Sequence, residues 1–320
     1  MNNTHTDSML KIALAMLAVM AVHPLANSQN LSDQEVARIV SSGRYFPAAR
    51  DFSLREKADT MAMRIMYGFE YVIDTLSGKC LHEPYMLEIG GKLTHYYSYN
   101  AYVRDSVQSE VYAYEISKGM NAFTDITSSV IPEEQTATYY EIFRCVPSSS
   151  RYVLLRVQNT DYCYSEKAEQ IEWCLTDRMD TVCGYRCQVA EGQLNGRQWT
   201  VSFSTDIPYP YGPWKLEGLP GLILKAEDSE GLLRWEAIGL EKGRDRSIYR
   251  YTGNKTSAIG LHYRCEKTSK TKIAKLWQMI WRSPVFLRTS GKPMTVMLPD
   301  GSIKTVGTQN HHGGYYPPLE

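Results

Sequence analysis

The sequence has no surplus of either charge, and this narrows the classes of partner. Its 320 residues contain 35 Lys and Arg against 35 Asp and Glu, so the formal net charge is zero. A protein that is attracted to nucleic acid or to an acidic lipid surface by its overall charge needs a basic excess. The composition therefore gives no reason to expect a nucleic-acid partner.

Motifs that define a reaction are missing as well. The sequence has no G-x-S-x-G elbow, no H-E-x-x-H pair, no Walker loop and no G-x-G-x-x-G. Glu133 with Glu134, Glu227 with Asp228, and Asp161 are carboxylates that could pair for glycoside chemistry. We interpret them as solvated turn residues. We assign no catalytic residue and no cofactor, and a hydrolase is kept as a remote alternative.

Histidine is scarce, which limits metal sites. His311 and His312 lie in a Gly-rich tail. His262 lies three residues before Cys265, a spacing that could offer one nitrogen and one sulfur ligand to a metal ion, but no second pair of ligands accompanies them. A structural zinc site needs four ligands, so neither group is sufficient by itself. We assign no metal ligand.

Long apolar runs are absent except near the start. Residues 12–22 form an apolar stretch that is too short to span a bilayer, and Lys11 precedes it. Ala26-Asn27-Ser28 is a small-x-small cleavage pattern. The sequence therefore predicts a signal peptide over residues 1–28, removal near Ser28, and a periplasmic or exported protein without a transmembrane span in its mature part.

Seven cysteines follow the predicted leader, and an export signal makes disulfides possible. Because seven is odd, at least one thiol stays outside any intrachain bridge. If 182–190 is one strand, Cys183 and Cys187 lie too far apart to bridge each other. The spacing favours a bridge within the set Cys163, Cys174 and Cys183. Cys187 is interpreted as a small buried apolar residue.

Alternation of apolar and polar residues dominates the rest of the chain. A helix is predicted over 31–42, and a long half-buried strand over 61–75. Further strands are predicted near residues 85–89, 93–103, 107–116, 137–145, 150–158, 169–176, 182–190, 197–205, 222–241 (as a hairpin), 285–288 and 294–298. Apolar residues at spacings of three and four predict a helix over 269–282. No βαβ alternation is visible. The fold class is therefore mainly β, a β-rich α+β protein with a curved antiparallel sheet or half-barrel and a covering C-terminal helix.

The most informative segment is a run of six residues with two glycines around a Leu-Pro pair: Gly218, Leu219, Pro220, Gly221, Leu222 and Ile223. Gly directly after Pro is typical of a type II turn, which places a positive φ at the Gly. We therefore predict a tight bend, with a positive φ at Gly221, that starts a strand at Leu222.

This run resembles the motif that names the GLPGLI family, a secreted group from Bacteroidota. Other segments support the resemblance: Met86–Gly91 with Tyr96–Ser98, Gly184–Cys187 with Ala190, Asn195–Arg197 with Trp199, Asp206–Pro208, Gly212–Trp214, and the terminal Tyr316–Glu320. The resemblance covers roughly residues 60–320 and implies export, but no particular activity. It divides the chain into a signal peptide (1–28), an N-terminal helical extension (29–58) and one GLPGLI-family β-rich domain (59–320).

A stiff aromatic loop with three prolines, residues 207–214, precedes the motif. Such loops bind partners at little entropic cost, but Trp214 could instead plug the open end of the sheet. The preferred function is a non-enzymatic binding or carrier module for an apolar ligand or a polypeptide. The residues predicted to line its groove are Tyr211, Trp214, Leu219, Leu222 and Trp277. The alternative is a protein–protein accessory of an outer-membrane transport or assembly complex.

Overall fold

A computed structural model describes most of the chain after residue 49. The described residues are 44–45, 50–74, 78–119, 124–125, 140–146, 148–157, 160–243, 246–253, 255–256, 262–263, 265–275, 294–297 and 303–306. The predicted leader, the predicted helix at 31–42, the predicted strand at 285–288, Glu133, Glu134, Trp277 and the tail histidines lie outside these ranges.

Strands make up most of the described structure. The elements are β1 (Arg44–Tyr45), a 3-10 turn (Phe52–Leu54), β2 (Arg55–Asp74), β3 (Lys79–Gly90), β4 (Leu93–Ser98), α1 (Tyr99–Ser117), β5 (Thr124–Asp125), β6 (Tyr140–Cys145), β7 (Ser150–Val157), β8 (Thr160–Lys167), β9 (Cys174–Val182), β10 (Tyr185–Leu194), β11 (Arg197–Ser204), β12 (Leu222–Asp228), β13 (Leu233–Lys242), β14 (Ser247–Tyr251), β15 (Lys255–Thr256), β16 (His262–Tyr263), β17 (Cys265–Lys267), β18 (Met294–Met297) and β19 (Ile303–Val306). Residues 270–275 are helical.

Thirteen of these described strands form one large curved sheet, and the other six form three two-stranded sheets, β1 with β5, β15 with β16 and β18 with β19. The order of the large sheet is β17-β8-β7-β6-β4-β3-β2-β13-β12-β11-β10-β9, and β14 pairs with the first part of β2. Within the described sheet the pairing is antiparallel except between β17 and β8. The predicted β-rich class with a curved, mostly antiparallel sheet is confirmed. β8 and β9 lie at or near opposite ends of the order, and residues 168–173 connect them.

The inner face of the sheet carries the main apolar core. Phe69 and Trp235 stack with ring centroids 4.3 Å apart and an interplanar angle of 8°. Trp199 and Trp214 pack against Trp235 from other elements. Apolar and aromatic burial of this kind is the main favourable term in folding.

The outer face is covered by α1, which the sequence did not predict. The predicted strands at 93–103 and 107–116 are wrong beyond residue 98. Ser98 ends β4 and caps the helix, because its hydroxyl accepts a hydrogen bond from the amide of Ala101 at 3.1 Å. Val103, Val107 and Val111 recur at helical spacing and pack on the sheet.

A tight hairpin corrects the prediction of one strand over 182–190. β9 ends at Val182, and Cys183 and Gly184 both have positive φ, 50° and 80°. Positive φ at both central residues is the requirement of a two-residue hairpin turn. The argument that separated Cys183 from Cys187 along one strand is therefore wrong. The predicted strand at 169–176 begins only at residue 174, and β8 was not predicted.

The bend before β12 also differs from its prediction. The strand begins at Leu222 and the hairpin with β13 forms, as expected. However, the positive φ is at Gly218 (96°) and not at Gly221. A Cβ on Gly221 would lie 2.1 Å from the backbone oxygen of Ser204. Gly221 is therefore required by close backbone approach and not by a type II turn.

The late helix is described only over residues 270–275. Ser269 accepts a hydrogen bond from the amide of Lys272 at 3.3 Å, and Ile273 packs into the main core. Residues 276–282 of the predicted covering helix lie outside the described ranges.

Candidate functional site

Four of the five residues predicted to line a groove lie together in the main core. Tyr211, Trp214, Leu219 and Leu222 are each no more than 8% exposed. The fifth, Trp277, lies outside the described residues. Their role in binding therefore stays a prediction.

Trp214 fills the interior of the curved sheet. Its ring lies parallel to that of Trp235, with centroids 6.3 Å apart and an angle of 3°. Its indole N–H donates to the hydroxyl of Tyr140 at 3.2 Å. Trp214 also has a φ of 54°, a conformation that L residues seldom adopt. This position matches the plug interpretation of the aromatic loop.

Buried ion pairs join the chain directly after the aromatic loop to strands β6, β7 and β8. We call them the inner ion cluster: Lys215, Glu217, Arg144, Arg151 and Glu166. The ammonium of Lys215 lies 2.7 Å from Glu166, and Glu217 lies 2.8 Å from Arg151 and 2.9 Å from Arg144. Burial raises the pKa of Glu217, while the two arginines oppose this shift. The loop is thus fixed by charge as well as by packing.

A separate cleft opens on the outer face, between α1, β14 and the segment before β2. Its cavity volume is about 40 Å³. A buried water needs roughly 10–15 Å³ on this measure, so the cleft has room for a small group such as a side-chain tip. The lining residues are Arg50, Phe52, Arg55, His95, Tyr97, Ser98, Ala101, Tyr102, Asp105, Glu141, Tyr249, Arg250 and Tyr251.

The floor of the cleft is built from paired charges. Glu141 accepts from Arg50 and contacts Nε2 of His95 at 3.0 Å. Nδ1 of His95 lies 3.5 Å from Glu88, whose carboxylate also accepts from the hydroxyl of Tyr97 at 3.0 Å. These groups come from neighbouring strands β3, β4 and β6, so the sheet register brings them together.

The network continues from Arg50 to β7 and β8. Asp161 accepts from Arg50 at 3.0 and 3.2 Å and from Arg156 at 2.9 and 3.0 Å. Asp161 and Asp228 are both buried, so the interpretation of these two as solvated carboxylates is wrong. We call the row Glu88, His95, Glu141, Arg50, Asp161 and Arg156 the outer ion cluster.

Pairing sets the protonation states of the cluster. Burial would raise the pKa of Glu141, but Arg50 and His95 lower it to about 2. Burial likewise opposes ionisation of Asp161, and Arg50 and Arg156 lower its pKa to about 2. Burial would lower the pKa of His95, but hydrogen bonds to Glu141 and Glu88 raise it. At neutral pH the two carboxylates are therefore ionised acceptors and not proton donors.

The rim and walls of the cleft are aromatic and cationic. The guanidinium of Arg55 lies 3.4 Å from the ring centroid of Phe52, 5.2 Å from that of Tyr249 and 5.6 Å from that of Tyr102. Tyr249 and Arg250 are exposed. Aromatic and arginine side chains are the types most enriched at energetically important points of protein interfaces.

Sequence reasoning missed the cleft. Glu88, His95 and Glu141 occupy alternate positions that point away from the inner core, and this pattern resembles a solvated strand face. The available signal was α1 itself, since valines at spacings of four predict a helix that must cover some face of the sheet.

The cysteines are thiols in the structure, and all seven lie among the described residues. Cys187 is fully buried in the main core, as predicted. Cys163 lies in β8, Cys174 begins β9, and Cys183 occupies the β9–β10 turn, where its thiol donates to the backbone oxygen of Ala237 at 2.9 Å. The predicted bridge among these three stays a prediction.

Neither a metal cluster nor a membrane-spanning helix is found within the described ranges. No group of three or more His, Cys, Asp or Glu there is arranged to hold a metal ion. No helix there is both long and apolar enough to cross a bilayer.

The fold and the cleft define a β-rich protein with one curved sheet, and comparison with known proteins adds little to this. No protein-family model and no curated protein matches the chain. Two solved structures described as PNGF-II, in C2 and P21 crystal forms, are similar at 13% identity with a TM-score of 0.42. The match covers 74% of this chain and 35% of the other, so the chain spans about a third of that protein. Such a likeness identifies neither fold nor function.

Proposed function

We propose that the chain is an exported, non-catalytic binding module of the cell envelope, and that it holds a polypeptide segment in the outer cleft. The observation that carries this proposal is the combination of aromatic walls and an arginine rim above a floor of paired charges. The resemblance to the GLPGLI family and the predicted signal peptide support export and belong to the same proposal.

The lining favours a polypeptide over a lipid-like ligand. A long apolar chain would lie against the ionised outer ion cluster, and an apolar group offers no hydrogen bonds to charged neighbours. The small volume suits one inserted side chain, and the exposed Tyr249 and Arg250 would contact the backbone beside it. The inner face, where the groove was predicted, is occupied by Trp214 and its neighbours.

A displayed library of random peptides tests the proposal because it samples many possible partner sequences at once. Enriched peptides would be titrated against wild type, Tyr249→Ala and Arg55→Ala. We expect each variant to weaken binding about tenfold or more, because hot-spot truncations cost more than about 1–2 kcal/mol.

Leu175→Ala is the matched control, because Leu175 is exposed on β9, far from the cleft in the sheet order. It should bind like wild type. If no peptide is enriched, or if the cleft variants bind as tightly as Leu175→Ala, the proposal is wrong.

One observation favours the accessory role as a second candidate. β9 ends the strand order of the described sheet and exposes Leu175 and Met179 by 52% and 50%. An exposed edge strand can pair with a strand of another protein. Photo-crosslinkers placed at position 179 and at position 249 separate the two functions. Adducts from 179 alone would favour the accessory, and adducts from 249 alone would favour the cleft.

A further inference from the structure

Two thiols meet where the short strand β17 joins the large sheet. In the parallel pairing of β17 with β8, Cys265 lies opposite Asp161 and Lys267 lies opposite Cys163. Cys163 and Cys265 therefore point to the same face, two positions apart along the strands. The hydroxyl of Tyr152, on the other side of β8, donates to the sulfur of Cys265 at 3.8 Å.

The two thiols differ in access. Cys163 is 2% exposed, whereas Cys265 is partly exposed. Burial, and then the neighbouring Cys163, raise the pKa of Cys265, so Cys265 rests as a thiol at neutral pH. The amide of Thr268 donates to the backbone oxygen of Cys163 at 2.8 Å, which holds the chain after β17 beside the pair.

We propose that Cys163 and Cys265 are a redox pair that closes to a disulfide and fastens β17 to β8. The sequence spacing favoured Cys174 or Cys183 as the partner of Cys163. However, Cys174 lies on the strand at the other end of the sheet order, and the thiol of Cys183 donates to the backbone of β13. The bridge would also fix the chain that leads to Ile273 in the main core.

The oxidant is a disulfide, either a small molecule or a thiol–disulfide exchange protein. The sulfur of Cys265 loses its proton and attacks one oxidant sulfur, and the oxidant's S–S bond breaks with release of its first thiol. The sulfur of Cys163 then loses its proton and attacks Cys265 in the mixed disulfide. The second oxidant thiol leaves, so two electrons and two protons have passed from the pair to the oxidant.

Peptide mapping of the native wild-type protein tests this directly. The protein is treated with oxidised glutathione, alkylated under denaturing conditions and digested without reductant. We expect one dominant cross-linked peptide pair that contains Cys163 and Cys265, lighter by two hydrogen atoms than the reduced pair. Protein oxidised in urea is the control for chance pairing and should give mixed bridges.

Two cysteine variants and a proteolysis measurement complete the test of the redox pair. Cys174→Ser should retain the bridge, and Cys265→Ser should lose it. Tryptic cleavage after Lys267 should slow about tenfold in the oxidised protein, since a fastened strand opens less often. A native map without the Cys163–Cys265 pair, or with Cys163 bridged to Cys174 or Cys183, overturns the redox pair. Unchanged cleavage after Lys267 overturns the fastening.

Discussion

The Arg50→Ala substitution gives the sharpest test of the outer ion cluster. Arg50 donates to Glu141 and, through two nitrogens, to Asp161. The side chains of both carboxylates are largely buried, at 14% and 6% exposed. Removal of the guanidinium leaves two ionised groups with less compensation in a place where water cannot replace it.

The expected loss in the free energy of unfolding of Arg50→Ala follows from two arguments. Breaking a buried ion pair by removing one partner costs about 3–5 kcal/mol. Glu141 keeps His95 and Asp161 keeps Arg156, so we expect the lower end, about 3 kcal/mol. Independently, the fall in the pKa of Glu141 from 4.5 to about 2 corresponds to about 3 kcal/mol. That figure is the net of the opposing effect of burial and of the contributions of Arg50 and His95, so it gives the scale of the loss at Glu141.

Urea unfolding at neutral pH, followed by tryptophan fluorescence, measures the loss. The matched control is Arg178→Ala, because Arg178 pairs with Glu191 while their side chains are 57% and 42% exposed. An exposed pair contributes about 0–1 kcal/mol, so the control should unfold almost like wild type. If Arg50→Ala and Arg178→Ala lose equal stability, the outer ion cluster does not support the fold. Arg50→Lys retains the positive charge but not the planar guanidinium that donates to two carboxylates. Its free energy of unfolding should lie between those of wild type and Arg50→Ala.

The pH dependence has a definite sign. Glu141 and Asp161 have lowered pKa values in the fold, so their stabilisation is complete above 4.5 and 3.8 and is lost as the pH falls toward about 2. The stability difference between wild type and Arg50→Ala should therefore shrink on acidification through this window. A difference that stays constant down to pH 2 would contradict the assignment.

Three further predictions concern single positions. Gly221→Ala should lose about 2 kcal/mol or more in urea unfolding, because its Cβ meets a backbone oxygen at 2.1 Å, whereas Gly91→Ala, with open space around it, should be near neutral. Trp214→Ala should cost about 3–5 kcal/mol, and a smaller cost would refute its place as a core plug. His95 has a raised pKa, so its stabilisation is present below 6.5 and is lost as the pH rises through the folded value. Wild type should therefore lose stability as the pH rises above 6.5, and His95→Gln should not show this loss. Urea unfolding at a series of pH values measures the difference.

Much of the sheet was predictable because the inner face of strands such as β2 is apolar. Along β2 the residues Met63, Ile65 and Tyr67 alternate with others, and period two is the direct consequence of strand geometry. The start of β12 at Leu222 was predictable for a similar reason, since Pro220 with Gly221 excludes regular structure before it.

The helix α1 could not be assigned from local preference. Its sequence is rich in valine and tyrosine, which favour strands. Ser98 as a cap and the packing of Val103 on the outer face override that preference. The sequence correctly indicated that position 221 needs Gly, but not the reason. The reason is the close approach of the Ser204 backbone, which depends on a strand pairing that the sequence does not specify.

Buried charge on both faces of β6, β7 and β8 explains why the site was hidden. Arg144, Arg151 and Glu166 belong to the inner ion cluster, while Asp161 and Arg156 belong to the outer one. Each charge is matched by a partner of opposite sign, so a balanced composition conceals a strongly charged interior. A charge in a low-dielectric site constrains its partner's position more than an apolar contact does. This end of the sheet therefore depends on a few specific pairings, and the cleft that lies above them inherits its shape from those pairings.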